Sequence, residues 1–263
     1  MKITAYPPGM PCWIELAAPD LDAATSFYTE LFGWTTQAAP ERGRDGYTVF
    51  RRGADPVGGV GRCTSDDQPP TWSWYAATRD AQAVLERVEG AGGKVLAAPS
   101  DVGTAGRSAL FLDPCGTPFS VWQAGDFSGA SVVGEPGTLG WTELMTREPH
   151  GAVDFYGPVL GWDRKPGGDP AESYTEFQID GRSIAGMMPM TDDRYPPELP
   201  DHWMVYVCVE DTDATAGRVR ELGGEISIPP RNTPAGRFAV AVDPAGAWFS
   251  LICRLKEPPA EQA

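Results

Sequence analysis

A glutamate two residues after a tryptophan occurs at two places in the chain, as Trp13 with Glu15 and again as Trp141 with Glu143. Both pairs lie in short apolar runs that predict half-buried strands, in which alternate side chains share one face. A carboxylate held beside an indole on such a face loses hydration, and its pKa rises. A carboxylate with a raised pKa can act as a general base near neutral pH. The pattern therefore predicts Glu15 and Glu143 as candidate catalytic bases.

An alternative role for the glutamates involves two arginines that recur with the same spacing, Arg107 and Arg237. An arginine paired with either glutamate would lower the pKa of the carboxylate and make it part of a structural ion pair. The same arginines could instead bind a ligand carboxylate or hold the turn that follows them. That turn begins at Asp113 in one copy and at Asp243 in the other, and we expect both aspartates to be turn formers.

Other common catalytic patterns are absent from the sequence. Its two histidines, His150 and His202, precede a predicted helix and lie in a proline-rich loop, so we expect both to be solvated. The five cysteines are scattered, and none forms the close pair that zinc or redox motifs use. There is no nucleophile elbow and no strand–loop–helix phosphate motif. An imidazole-rich metal centre is thus excluded, which leaves a carboxylate-only site on Glu15 or Glu143 as the remaining metal option.

The elements that must position these residues occur twice. The repeated markers are an indole–glutamate pair, a Phe-Tyr pair and a Gly-Trp pair, at Trp13/Glu15, Phe27/Tyr28 and Gly33/Trp34 and again at Trp141/Glu143, Phe155/Tyr156 and Gly161/Trp162. A repeat of this length is a domain rather than a solenoid unit. Residues 126–138, rich in Gly, Ser and Ala, predict a linker between domains at 1–125 and 139–263.

Each half is predicted to hold two strand–helix–strand–strand–strand (βαβββ) units. In the first unit, Asp20 is a good N-cap, residues 21–32 have the spacing of an amphipathic helix, and Gly33 suits the position after the helix. Short apolar runs separated by turn residues follow and predict strands. The predicted class is α+β.

The composition excludes several kinds of partner. The net charge of −15 argues against binding to a nucleic acid backbone or to an acidic membrane surface. No apolar run is long enough to cross a membrane, and the N-terminus lacks a signal-peptide pattern. We therefore expect a cytoplasmic protein with reduced thiols, no nucleic acid partner and no membrane partner.

These motifs resemble those of the vicinal oxygen chelate superfamily, which includes glyoxalases, bleomycin-resistance proteins and extradiol dioxygenases. The resemblance covers about residues 14–123 and 141–254, and within the superfamily the chain is similar to tandem-domain, glyoxalase-like proteins of actinobacteria. It rests on Asp20-Leu21, Phe27-Tyr28, Gly33-Trp34, Gly106-Arg107 and Asp113 to Gly116. It implies two tandem glyoxalase-like domains, each of two βαβββ units curled into an open, U-shaped barrel around a pocket.

The resemblance also identifies the positions at which metal-dependent members carry their ligands. Those members use His or Glu on the first strand, His or Gln on the strand that opens the second unit, and Glu on the last strand. The matching positions here are Trp13, Ser73 and Ser120, and in the second half Trp141, Met204 and Ser250. None of these is a usual metal ligand, so we expect neither a metal nor another cofactor.

Strand alternation extends the set of residues that would face each pocket. If Trp13 and Trp141 face the pockets, as the resemblance implies, then so do the two glutamates. Residues two apart on a strand share a face, so the same alternation predicts four further pairs: Tyr75 with Ser73, Tyr206 with Met204, Trp122 with Ser120 and Trp248 with Ser250. Aromatic walls with one carboxylate, one tyrosine hydroxyl and one serine hydroxyl suit a flat organic ligand. The alternative is that the tryptophans simply fill the core.

The leading hypothesis is a metal-independent, glyoxalase-like protein that binds a hydrophobic or aromatic small molecule. It would be an acid–base enzyme of secondary metabolism (isomerisation, cyclisation or dehydration), with Glu15 or Glu143 as base and Tyr75 or Tyr206 as acid. One alternative is a non-catalytic protein that sequesters a drug or metabolite, as bleomycin-resistance proteins do. A second is a metal-dependent glyoxalase or dioxygenase. The sequence is compatible with a monomer or a homodimer. Bleomycin-resistance proteins pair two copies to complete their pockets, and a tandem repeat could supply that pairing within one chain.

Overall fold

The computed structural model describes residues 2–39, 46–191 and 195–254, and the predicted outer domain limits at residues 1 and 263 lie outside them. The elements of the first half are β1 (Pro11–Ala18), α1 (Leu21–Phe32), β2 (Thr35–Ala38), β3 (Thr48–Arg52), β4 (Asp55–Arg62), β5 (Thr71–Thr78), α2 (Ala81–Gly90), β6 (Lys94–Val102), β7 (Gly106–Leu112) and β8 (Pro118–Ala124). Those of the second half are β9 (Leu139–Thr146), α3 (Pro149–Leu160), β10 (Asp163–Arg164), β11 (Thr175–Ile179), β12 (Arg182–Pro189), β13 (His202–Cys208), α4 (Thr212–Glu221), β14 (Glu225–Thr233), β15 (Gly236–Val242) and β16 (Trp248–Arg254).

Each half forms one eight-stranded mixed sheet. The strand order is β2-β3-β4-β1-β5-β8-β7-β6 in the first half and β10-β11-β12-β9-β13-β16-β15-β14 in the second. Within a unit the first and last strands are parallel, and the two units of a half meet at an antiparallel pair, β1 with β5 or β9 with β13. Because the two outermost strands of each sheet do not pair with each other, both sheets stay open. The predicted class, α+β with two tandem domains of βαβββ units, is confirmed.

Local chemistry sets the ends of α1 as the sequence predicts. The Asp20 carboxylate accepts hydrogen bonds from the amides of Asp22 and Ala23, two donors that have no partner inside the helix. Gly33 ends the helix in the left-handed conformation, at φ 68°. Asp80 and Asp211 cap α2 and α4 in the same way.

The two sheets pack back to back. On β1, Ile14 and Leu16 are fully buried in the core, whereas Trp13 and Glu15 lie on the other face. The rings of Trp74 and Trp203, on the same faces as that core, lie 4.7 Å apart between the two halves. The faces that carry Glu15 and Glu143 therefore point away from each other.

The first helix of each half packs on the back of the other half's sheet. Phe27 of α1 contacts Phe249 of β16, and Phe155 of α3 contacts Phe119 of β8. The contact within the chain therefore covers the backs of the sheets, not the openings of the pockets. In the described part of the chain, no helix combines the length and apolarity that a membrane crossing requires.

Candidate functional site

The structure brings five predicted residues of the second half together on adjacent strands. Trp141 lies opposite Tyr206, Glu143 lies opposite Met204, and Tyr206 lies beside Ser250. The Tyr206 hydroxyl donates a hydrogen bond of 2.7 Å to Glu143 Oε1. The central strands β9, β13 and β16 thus place a carboxylate, a phenol and an indole on one face.

Tyr174 joins this group although the sequence did not predict it. It immediately precedes β11, its hydroxyl accepts a 2.9 Å hydrogen bond from Trp141 Nε1, and it donates a hydrogen bond to Glu143. Two phenols therefore donate to one carboxylate. We call Trp141, Glu143, Tyr174, Met204, Tyr206 and Phe238 the second-half site; Phe238 lies in the same apolar cluster as Met204 and Tyr206.

Burial sets the protonation of these groups. Burial raises the pKa of Glu143, and the hydrogen bonds from Tyr206 and Tyr174 partly oppose that rise. The pKa of Tyr206 is raised well above its ordinary value, first by burial and then by the neighbouring Glu143 charge, and Tyr174 shifts in the same direction for the same reasons. Both phenols therefore stay protonated near neutral pH and act as hydrogen-bond donors.

The first half repeats the arrangement. Trp13 Nε1 donates a 3.1 Å hydrogen bond to Tyr47 Oη, and Tyr47 in turn donates to Glu15. Trp13 lies opposite Tyr75, and Glu15 lies opposite Ser73. Tyr47, like Tyr174, directly precedes a strand, and burial followed by the Glu15 charge raises its pKa well above the ordinary value.

A repeated glycine is the sequence signal that could have identified the two extra tyrosines. A Cβ on Gly59 would lie 2.2 Å from Tyr47 Oη, and a Cβ on Gly186 would lie 1.8 Å from Tyr174 Oη. Only glycine leaves room for the phenol at these positions. Gly59 lies within β4 opposite Glu15, so its role is to leave space for the phenol beside the carboxylate.

The first-half site is nearly closed. Its cavity measures about 50 Å³ and is lined by Trp13, Glu15, Tyr47, Tyr75, Val102, Ser108, Trp122 and Phe127. The Phe127 ring meets the Trp13 ring edge to face at 4.9 Å, and the Phe127 carbonyl accepts a 2.7 Å hydrogen bond from Trp122 Nε1. Residues 125–129 after β8 therefore cover the site, and Phe127 fills space that a ligand ring would need. Ser120 is buried beside Tyr75.

The two sites differ in access. Tyr47 is 4% exposed, whereas its counterpart Tyr174 is 41% exposed. Trp13 is also buried, while Trp141 is only partly buried. The second-half site therefore reaches solvent through its Trp141–Tyr174 wall.

Three predicted binding residues lie apart from the glutamates. Arg107 forms an ion pair of 2.9 Å with Asp101, and Arg237 pairs with Asp213 at the surface. Both arginines project from the outer strands, away from Glu15 and Glu143, the carboxylates of the predicted ion pairs. Trp248 begins β16, is 50% exposed and makes no ring contact with the second-half site in the described residues. Ile252, not a tryptophan, occupies the cluster beside Met204 and Tyr206.

The side chains do not fit the metal that the resemblance to glyoxalases and dioxygenases would suggest. Each site offers a single carboxylate, and in the second half two phenols already donate to it. Across residues 2–39, 46–191 and 195–254, no three His, Cys, Asp or Glu side chains converge. His150 pairs with Asp169 at the surface, and His202 contacts the Pro200 carbonyl. A divalent transition metal needs more imidazole, thiolate or carboxylate donors than either site supplies.

Comparison with known proteins agrees with this fold. The model of the Glyoxalase/Bleomycin resistance protein/Dioxygenase superfamily matches residues 12–121 and 138–251. The chain is 39% identical over 264 residues to the anthracycline biosynthesis protein DnrV of Streptomyces peucetius, covering 95% of each chain. It is 36% identical over 259 residues to the putative glyoxylase CFP32 of Mycobacterium tuberculosis, covering 95% of this chain and 97% of that protein.

A solved structure shares the fold at lower identity. The Mn(II)-bound glyoxalase from Novosphingobium aromaticivorans superimposes with a TM-score of 0.68 at 19% identity, covering 95% of this chain and 83% of that one. The family predicted from the repeated motifs is thus confirmed by a match to both halves and by relatives of full length. The chain belongs to the glyoxalase/bleomycin resistance protein/dioxygenase superfamily.

Proposed function

We propose that this protein binds a polycyclic aromatic small molecule at the second-half site and moves a proton on it, with Glu143 as the general base. The observation that carries the proposal is the buried Glu143 carboxylate under two phenol donors, in a site whose Trp141–Tyr174 wall reaches solvent. Aromatic walls with a few convergent polar groups are typical of small-molecule sites.

The contrast between the halves favours the second half as the working site. The first-half cavity of about 50 Å³ is too small for a fused-ring ligand, and Phe127 covers it. The second half has the same Trp–Tyr–Glu–Tyr arrangement with an exposed tyrosine. We therefore assign Glu15, Tyr47 and Tyr75 to a closed copy whose main role is structural.

The chemistry that suits these groups is proton transfer beside a carbonyl. A carboxylate with a raised pKa can remove a proton from the carbon next to a ketone. Tyr206 can turn its single O–H from Glu143 to the ketone oxygen and donate a hydrogen bond to that oxygen as it gains charge. Returning the proton to another atom of the same ligand completes an isomerisation. Because Tyr206 resists ionisation, it suits the role of hydrogen-bond donor better than that of an acid that releases its proton.

The ligand class follows from the site walls and from the names of relatives. Two relatives at 39% identity are named anthracycline biosynthesis proteins. We infer a fused-ring aromatic ketone for this chain, since such a ligand combines flat apolar faces with a carbonyl oxygen for Tyr206.

Deuterium exchange into 1-tetralone, a fused-ring aromatic ketone, tests both binding and base catalysis. We expect the protein to bind 1-tetralone and to accelerate exchange next to its carbonyl, as followed by NMR in D₂O. Glu143→Gln should reduce the catalysed exchange by about 100-fold or more while the dissociation constant changes little. Glu15→Gln is the matched control and should keep most of the activity.

The outcomes separate the candidate functions. Binding without any catalysed exchange in the unmodified protein would contradict the enzyme and favour a sequestering role. Loss of exchange in Glu15→Gln but not in Glu143→Gln would assign the activity to the other half. Failure to bind aromatic ketones at all would reject the proposed function.

A further inference from the structure

Two arginines of the second half lie against rings of the second-half site. The Arg231 guanidinium carbon is 4.8 Å from the centre of the Phe238 ring, and that of Arg254 is 5.4 Å from the centre of a Trp141 ring. Both distances are typical of cation–π contacts, which hold a guanidinium flat over a ring. Arg254 also donates to the Gly140 carbonyl, which limits its movement further.

Strand pairing places both arginines at the same end of the sheet. Arg231 lies opposite Phe238, and Arg254 lies opposite Gly236, two residues before Phe238 on β15. The centres of the Phe238 and Tyr206 rings lie 6.3 Å apart, and the Tyr206 hydroxyl donates a 2.7 Å hydrogen bond to Glu143. Two lines of contact, one through Phe238 and Tyr206 and one through Trp141 and Tyr174, thus connect the guanidinium groups to the carboxylate.

Neither guanidinium is neutralised within the part of the chain that the structure describes. Arg231 and Arg254 are exposed and form no salt bridge with a described carboxylate. Other exposed arginines of this acidic chain do pair with carboxylates, for example Arg52 with Glu135 and Arg218 with Glu30. Two cations without a described carboxylate partner therefore lie beside the site, in a chain with a net charge of −15.

The first half lacks these cations. Ser100 pairs with Ser108, and Ala124 pairs with Gly106, at the strand positions that Arg231, Phe238 and Arg254 occupy in the second half. The Trp–Tyr–Glu–Tyr group is common to both halves, but the arginines belong to the open site alone.

We propose that the second-half site selects aromatic ligands that carry an anionic group, which Arg231 and Arg254 bind at the opening while the rings stack over the aromatic walls. This inference rests on the proposed function and names the ligand class more closely. Guanidinium groups bind carboxylates through paired, charge-assisted hydrogen bonds, and ring stacking holds the fork ready for them. The anion stays at the opening because Glu143 occupies the floor.

A pair of isosteric probes tests the proposal. We expect 2-naphthoate to bind about tenfold more tightly than 2-naphthamide in low salt, as measured by calorimetry. The preference should shrink in high salt, because both arginines are exposed and ions screen them. Arg231→Gln with Arg254→Gln should remove the preference, so that 2-naphthoate binds no more tightly than 2-naphthamide. The control variant Arg182→Gln with Arg220→Gln makes the same charge change at exposed positions of the same half and should retain it.

Equal binding of the two probes by the unmodified protein would overturn this proposal while leaving aromatic binding intact. The proposal is also overturned if the control variant loses the preference as fully as the Arg231 and Arg254 variant does. Net charge alone would then explain the preference for 2-naphthoate. Failure of both probes to bind would reject the proposed function together with this inference.

Discussion

Tyr28 of the first half donates a 2.9 Å hydrogen bond to the Asp243 carboxylate of the second half. The reciprocal pair also exists, with Tyr156 donating to Asp113 at 3.0 Å. Each tyrosine lies on the first helix of its half, and each aspartate closes a turn by accepting turn amides with its other oxygen. The aspartates are therefore turn formers, as the sequence predicts, and also acceptors that join the two halves.

Tyr28→Phe should destabilise the protein by about 2 kcal/mol, because it leaves two buried polar groups without their partner. These are the Asp243 oxygen and the Trp72 indole nitrogen, which donates to Tyr28 Oη at 2.8 Å. Urea unfolding followed by tryptophan fluorescence measures the change. Ser26→Ala, on the exposed face of the same helix, should stay within about 0.5 kcal/mol of the parent. Equal stability of Tyr28→Phe and the parent would show that the link contributes nothing.

Glu143→Gln should change how stability depends on pH. Burial raises the pKa of Glu143 above its ordinary value of 4.5, so the folded state binds this proton more tightly than the unfolded state does. The stabilisation that Glu143 contributes is fully present below pH 4.5. It is lost as the pH rises through the raised pKa of Glu143 in the folded state. The uncharged glutamine avoids that loss, so its stability relative to the parent should increase across this range. Urea unfolding at a series of pH values measures it, and a constant difference between the two proteins would contradict the expectation.

Phe127→Ala should open the first-half site. Removing the ring leaves the Trp122 hydrogen bond to the backbone in place but uncovers Trp13 and Glu15. We expect a loss of about 1–2 kcal/mol in stability for this partly buried ring, and a rise in the number of bound 2-naphthamide molecules from one to two per chain by calorimetry. Phe127→Leu keeps an apolar side chain over the first-half site, so this variant should still bind one 2-naphthamide molecule per chain. A single bound molecule in both variants would show that Phe127 does not control access.

Removal of metal ions should change neither the stability of the protein nor its ligand binding. Because neither glutamate lies with other strong metal ligands in the described residues, dialysis against EDTA should leave the melting temperature and 1-tetralone binding unchanged. Elemental analysis before and after dialysis checks that removal was complete. A transition metal at one equivalent per chain, with binding lost on its removal, would restore the metal-dependent glyoxalase or dioxygenase alternative.

Local patterns explain what sequence reasoning could predict. Helix spacing, the Asp20 cap and Gly33 depend on neighbours a few residues away, and the structure reproduces them. Strand alternation likewise placed Trp141, Glu143, Met204 and Tyr206 on one face. The structure places Trp248 at the exposed start of β16, because alternation gives the face of a strand but not how far along the sheet a side chain lies.

The sequence by itself therefore determined the duplicated βαβββ architecture and the strand faces that carry Glu15 and Glu143, since periodicity and repeats are properties of the chain alone, and its motifs resembled those of the family. Only the tertiary structure decided that Tyr174 bonds Glu143, that Phe127 closes one site and that Arg231 and Arg254 lie at the other. These contacts join strands and loops far apart in the sequence, and their geometry depends on sheet order and register. The back-to-back packing through Trp74 and Trp203 was also beyond the sequence, because two apolar faces can bury each other in more than one way.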